Sequence, residues 1–217
     1  MKLKSFGCSF VYGSDLDQPA TQGLQPSTHT WPALLAQQLG YEYQCHARPG
    51  VGNMQIFDTV LREIHSNDQS IFVIAWTWID RHDFQASGKA QWSTLRPTTE
   101  SDLATVYYRD LHSQYRDQLQ SLAVISTVCA LLKSHNIPFV MTAMDDLLWE
   151  QRWNSKQHLV SLQKRIRDCV TDFDDANFLN WSRRQGHDIS KNLHPMHSAH
   201  QAAAEYILKQ HPWLEEY

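Results

Sequence analysis

The sequence predicts an α/β protein, a three-layer α/β/α sandwich built on a parallel sheet of about five strands. Three observations carry that prediction. Short strand-like segments near 2–6, 41–45, 70–76 and 138–142 alternate with longer amphipathic stretches. The run Ser70-Ile71-Phe72-Val73-Ile74-Ala75-Trp76 is almost unbroken, as expected of a parallel strand covered on both faces. No internal repeat or low-complexity linker interrupts residues 1–217, so the chain reads as one domain.

In order, the first strand covers 2–6 and ends in a sharp turn at Gly7-Cys8-Ser9, closed by Gly13. Residues 15–30 are polar and rich in Gln, Pro and Thr, which predicts a loop. Thr30 then fits an N-cap, with Pro32 in the first turn of a helix over 31–38. Trp31, Leu34, Leu35 and Leu39 recur at helical spacing, and Gly40 ends the run. A second strand over 41–45 leads into the glycine-rich turn His46-Ala47-Arg48-Pro49-Gly50-Val51-Gly52-Asn53. The helix beyond it carries Ile56, Val60, Leu61 and Ile64 as its buried stripe. The third strand, 70–76, runs out into Thr77-Trp78-Ile79-Asp80-Arg81.

From 82 to 100 there is no clean periodicity, and the stretch contains Gly88 and Pro97. A loop of that length inside a compact domain is expected to be functional, often a lid. A long helical stretch over 101–134, broken near Arg116, presents Tyr107, Leu111, Tyr115, Leu119, Leu122, Ile125, Val128, Leu131 and Leu132. A fourth strand is expected at 138–142, a helix at 155–170, a short fifth strand at 177–179 and a closing helix at 198–210. Alternation of this kind implies right-handed crossovers and a flavodoxin-like arrangement.

Composition narrows the function. Lys and Arg number 19 against 23 Asp and Glu, for a net charge of −4, and no basic run marks a nucleic-acid surface. The apolar runs are far too short to span a bilayer, and no signal-type apolar region opens the chain. Four scattered cysteines (Cys8, Cys45, Cys129, Cys169) lack the spacing of a zinc or redox motif. They read as free thiols of a cytoplasmic protein. The twelve histidines include no convincing helical pair with an acidic partner, so no metal and no cofactor is expected.

Open α/β sheets place reactive groups on the loops that follow their strands. The loop after the first strand brings Ser9, beside Cys8. The loop after the second brings Gly50 and Asn53. The loop after the third brings Thr77, Trp78, Asp80 and Arg81, and the segment before the last helix brings Asp188, Asn192 and His194. A hydroxyl, glycine-lined amides and a late histidine are the parts of acyl transfer through serine.

The set resembles the SGNH (GDSL-type) hydrolase superfamily, over most of the chain and in the same order. Gly7-Cys8-Ser9 is similar to the family's Gly-Asp-Ser block, with cysteine in the aspartate position. Ala47-Arg48-Pro49-Gly50-Val51-Gly52-Asn53 resembles the second block, whose glycine amide holds the oxyanion, and Gly50 is the best match. The third block, Gly-x-Asn-Asp, reads Ala75-Trp76-Thr77-Trp78-Ile79-Asp80-Arg81, without the oxyanion asparagine. His194-Pro195-Met196-His197-Ser198-Ala199-His200 resembles the last block, in which a histidine before proline is the base. The family's acid, three residues earlier, falls on Lys191.

The resemblance therefore implies a serine ester hydrolase with Ser9 as nucleophile and His194 as base. The oxyanion would lie against the Ser9 and Gly50 amides, with or without Thr77. The imidazole would be oriented by a backbone carbonyl, Asn192 or Asp188. His197 and His200 are expected at the start of the last helix. The substrate expected from the family and from the eight tryptophans is a small or carbohydrate-linked ester. A binding module that kept the fold and lost the chemistry is the other class, and an acyltransferase a third.

Overall fold

The computed structural model describes residues 1–17, 25–66 and 68–217, so residues 18–24 of the expected 15–30 loop lie outside the described residues. Four strands make the main sheet: β1 (Lys2–Phe6), β2 (Glu42–Cys45), β3 (Ser70–Trp76) and β6 (Phe139–Ala143), in the order β2-β1-β3-β6. All three pairings are parallel. Between β3 and β6 lies a separate antiparallel hairpin, β4 (His82–Gln85) with β5 (Trp92–Leu95).

Helices cross between the strands. α1 (Ser9–Tyr12) is a single turn, and α2 (Trp31–Leu39) links β1 to β2. α3 (Asn53–Ile64) links β2 to β3. α4 (Asp102–Val106), a π-helical turn (Tyr107–Leu111) and α5 (Gln114–Ser134) lead to β6. α6 (Gln157–Arg167), α7 (Phe178–Arg184) and α8 (His197–Gln210) complete the chain. The connections from β1 run in opposite directions along the sheet, so right-handed crossovers put α2 on one face and α3 and α5 on the other. α8 packs on α2, and α6 on α5, which completes the two outer layers. Among the described residues no helix is long and apolar enough to cross a membrane.

β3 is buried along its whole length, from Ser70 through Trp76, because it lies between two strands and under both layers. β1 is buried beside it, and its Lys4 is only 1% exposed. That ammonium stays charged by donating to Glu63 and Asp68, each at 2.9 Å, and to Ser66 at 2.7 Å. The turn after β1 passes so close to β3 that a side chain at Gly7 would sit 2.7 Å from Val11 Cγ2 and 3.0 Å from the Ala75 carbonyl.

Several expectations are corrected. Residues 177–179 are not a strand. Asn177 caps α7, its side chain accepting from the Asn180 N–H at 2.9 Å. The sheet has four strands rather than five, and Val170 makes only an isolated bridge to Met141 at its edge. Within 82–100, residues 82–95 fold as the β4–β5 hairpin, not as a structureless loop. The long helix breaks at His112–Ser113, where Ser113 caps α5, and Leu111 is 62% exposed. Cys129 and Cys169 form a disulfide, with Cα atoms 6.8 Å apart, while Cys8 and Cys45 are free. The paired cysteines are 40 residues apart and meet only because α5 packs on α6.

Candidate active site

β1 connects outward to β2, whereas the chain returns past it to β3, so the sheet reverses direction between β1 and β3. A crevice at the C-terminal ends of strands opens at such a switch point. Here a cleft of about 720 Å³ is lined by Ser9, Asp15, Gly50, Trp78, Asp80, Arg81, Asn192 and His194, among others.

Ser9 opens α1, and its side chain is only partly exposed, with the residue at 8%. Its Oγ lies 2.9 Å from His194 Nε2. The opposite ring nitrogen, Nδ1, lies 2.8 Å from Asp15 Oδ2. Asp15 also accepts from Ser190 Oγ at 2.6 Å and from Asn192 Nδ2 at 3.0 Å. Partial burial pushes the Asp15 carboxyl up, but the hydrogen bonds from Ser190, His194 and Asn192 outweigh it and hold the group below the usual carboxylate range. An ionised Asp15 assigns the imidazole proton to Nδ1, which leaves Nε2 free to accept from the Ser9 hydroxyl.

The loop carrying His194 is tightly built. Ser190 N–H donates to the His194 carbonyl at 2.8 Å, and the Ser190 hydroxyl accepts from the His194 N–H at 3.2 Å. Leu193 takes a φ of +66° there. A branched residue in the left-handed region is strained, and such strain gathers where a side chain must be held in place. Phe10 adds an edge-on contact to the imidazole, with ring centroids 5.1 Å apart.

Opposite this group, Gly50 turns with φ of +79° and lines the same cleft. Among the described residues, neither its N–H nor that of Ser9 has an acceptor within the protein. Two open amides beside a hydroxyl suit an oxyanion.

The remaining predicted residues divide. Trp78 and Arg81 form a wall, with the guanidinium 4.7 Å over the indole ring and Arg81 Nη1 donating to the Val51 carbonyl at 2.7 Å. Asp80 lines the cleft beside them. Burial pushes its carboxyl up, Asp145 adds to that, and Arg81 opposes it. Thr77 does not line the cleft. Its N–H donates to Asn53 Oδ1 at 2.8 Å, and its hydroxyl is buried without a partner. Its backbone N–H is thus taken, and its unpartnered hydroxyl is buried away from the cleft where an oxyanion would form. Asn53 is buried below the cleft, where it straps the end of β3 by donating back to the Thr77 carbonyl at 3.2 Å. Cys8 is fully buried at the position before α1, where its side chain makes no capping hydrogen bond.

Asn192 and Asp188 do not orient His194 themselves. Asn192 acts on Asp15, and Asp188 contributes its carbonyl, which accepts from the Met196 N–H at 2.9 Å. His197 opens α8, and buried His200 accepts the Trp31 N–H at 3.0 Å, with burial pulling its imidazole down to about 3. Asp15 and Ser190 were missed by sequence reasoning. Position 191, where the family's acid would lie, is Lys191, and the carboxylate comes instead from the loop just past the serine turn.

No protein-family model and no curated protein sequence matches the chain. Solved structures do resemble it in fold. A carbohydrate esterase family 2 enzyme with a carbohydrate-binding domain, from Corynascus thermopiles (Myceliophthora fergusii), matches with a TM-score of 0.56 at 15% identity, over 100% of this chain and 67% of that one. TesA matches with a TM-score of 0.54 at 12% identity, over 99% of both chains. A member of the lipolytic G-D-S-L family from Veillonella parvula matches at 0.52 with 10% identity, over 96% of this chain and 97% of that one. The chain thus has an SGNH hydrolase-like fold.

Proposed function

We propose that the protein is a serine ester hydrolase that works through an acyl-enzyme on a small or carbohydrate-linked ester. One observation carries the reading: Ser9 Oγ, His194 and Asp15 form a continuous hydrogen-bonded chain, at 2.9 and 2.8 Å, on the wall of an open cleft.

The steps follow from the geometry. Ser9 Oγ attacks the ester carbonyl carbon while His194 Nε2 takes the hydroxyl proton, and Asp15 holds the imidazolium so formed. The Ser9 and Gly50 amides accommodate the negative oxygen of the tetrahedral intermediate. As the carbonyl reforms, the carbon–oxygen bond to the alcohol breaks, and His194 returns its proton to that alcohol. Water, deprotonated by His194, then attacks the acyl-Ser9 ester and releases the acid with Ser9 restored. The neighbours named as esterases are consistent with this reading, but at 10–15% identity they bear on fold alone.

A binding module that had lost its chemistry would have no need to keep a serine, an imidazole and a carboxylate in hydrogen-bonding register. Labelling with a fluorophosphonate, wild type beside Ser9→Ala, tests the reading, with the adduct mapped by mass spectrometry. Stoichiometric modification of Ser9, absent in the variant, is expected. A folded wild type that takes up no label would leave a binding module on a hydrolase fold.

A further inference from the structure

Besides its reactive groups, the cleft carries three cations: Arg81, Arg96 and Lys191. Arg81 is occupied, by the Val51 carbonyl and the Trp78 ring. Arg96 and Lys191 are not. Among the described residues neither pairs with a carboxylate, so both guanidinium and ammonium face the cleft uncommitted. Of the two carboxylates lining the cleft, Asp15 is committed to His194, Ser190 and Asn192, and Asp80 is half-buried against the end of β3.

The position of Arg96 gives this excess of positive charge a direction. Its Nη1 lies 3.6 Å from the point where a side chain on Gly50 would begin, so the guanidinium sits against the Gly50 turn in the cleft that also holds Ser9. It is delivered there by β5, which ends one residue earlier. In a protein of net charge −4, what sets these two apart is that both line the cleft that holds the reactive serine, one of them against the Gly50 turn.

We infer that the cleft selects esters that carry an anionic group, a carboxylate or phosphate, close to the scissile bond, and that Arg96 holds that group, with Lys191 on the opposite rim. The inference rests on the ester-hydrolase reading for the word "ester" and on the cation geometry for the rest. A planar guanidinium binds either oxyanion in bidentate fashion, whereas an ammonium adds a point charge.

Binding to the Ser9→Ala protein, measured by isothermal titration at low salt, tests this without any turnover. The three ligands are monomethyl succinate, its neutral counterpart methyl butyrate, and 1-acetylglycerol 3-phosphate. At least one charged ester should bind about tenfold tighter than methyl butyrate, and the gap should narrow in high salt as the charges are screened. The stronger of the two charged ligands tells whether the anion belongs to the acyl or the alcohol part. Arg96→Gln in the same background should erase the preference; Arg96 is exposed, so the variant keeps the fold. Equal binding of all three, no measurable binding of any, or a preference that survives Arg96→Gln would overturn the inference. Failure of Ser9 to label would overturn the hydrolase reading alone.

Discussion

The two sides of the Ser9 hydroxyl are built from different materials. On the His194 side, four side chains (His194, Asp15, Ser190 and Asn192) hold one another through hydrogen bonds of 2.6 to 3.0 Å. On the Gly50 side, the open donors are backbone amides, and the candidate side chain, Thr77, is buried outside the cleft. A proton relay needs a titratable ring held in one orientation and one tautomer, which only other side chains supply. An oxyanion needs fixed dipoles, which a turn already provides once no Cβ crowds it. Substitutions should therefore be costly on the first side and cheap on the second.

The largest effect is expected for His194→Ala, which should slow Ser9 labelling by about 10⁶, as loss of the base does in serine hydrolases of known mechanism. Asp15→Asn should cost up to about 10⁴, because an amide favours the wrong tautomer. Asp188→Asn should change the labelling rate little. An equal loss in both variants would break the contrast. Asp15 also gives the relay side a pH signature. Its carboxyl is held below the ordinary 3.8, so its contribution to stability is complete above that pH and disappears as pH falls through the folded value. The stability difference between wild type and Asp15→Asn, from urea midpoints at a series of pH values, should shrink in that acid range.

Under the oxyanion side, Asn53→Ala should cost about 1–3 kcal/mol in urea unfolding, since it strands the buried N–H and carbonyl of Thr77. Thr77→Val is the smallest effect. It removes a buried hydroxyl that has no partner, so labelling should be unchanged and the melting temperature equal or slightly higher. A large rate loss in Thr77→Val would show that a side chain serves the oxyanion after all.

What the sequence made legible follows the same division between local and distant causes. β1 and β3 were placed to the residue: β3 because continuous burial between neighbouring strands writes itself as an apolar run, and β1 because its alternation stops at the Gly7 turn. Ser9 and Gly50 were visible because sharp turns demand glycine nearby. Asp15 was not, since its meaning depends on a contact with a residue 179 positions away, and it looks like any loop aspartate until the sheet folds. One sign was available: it is the first carboxylate after the serine turn. Residues 177–179 were misread because three residues are too few for periodicity, although the capping asparagine was in view. The hairpin at 82–95 escaped because its strands are four residues each and its anchor is tertiary. The disulfide escaped for the same reason, and its presence removes the premise of four free thiols on which a cytoplasmic setting was argued.

That anchor is Asp83, whose carboxylate accepts from the Gly52 and Gln55 N–H groups at the start of α3, at 3.0 and 2.9 Å. Trp92 Nε1 adds a bond to Asp58 on the same helix at 2.9 Å. The hairpin that leads into Arg96 is thus tied to the helix that follows Gly50. A flap on loose hinges opens on its own clock and can set the pace of release. Tied to α3 by these bonds, the hairpin is expected to keep the cleft open, so that on the proposed hydrolase reading departure of product should not limit turnover. Turnover of an accepted ester should then be insensitive to added viscogen, and a rate that falls in proportion to viscosity would mean that the hairpin lifts.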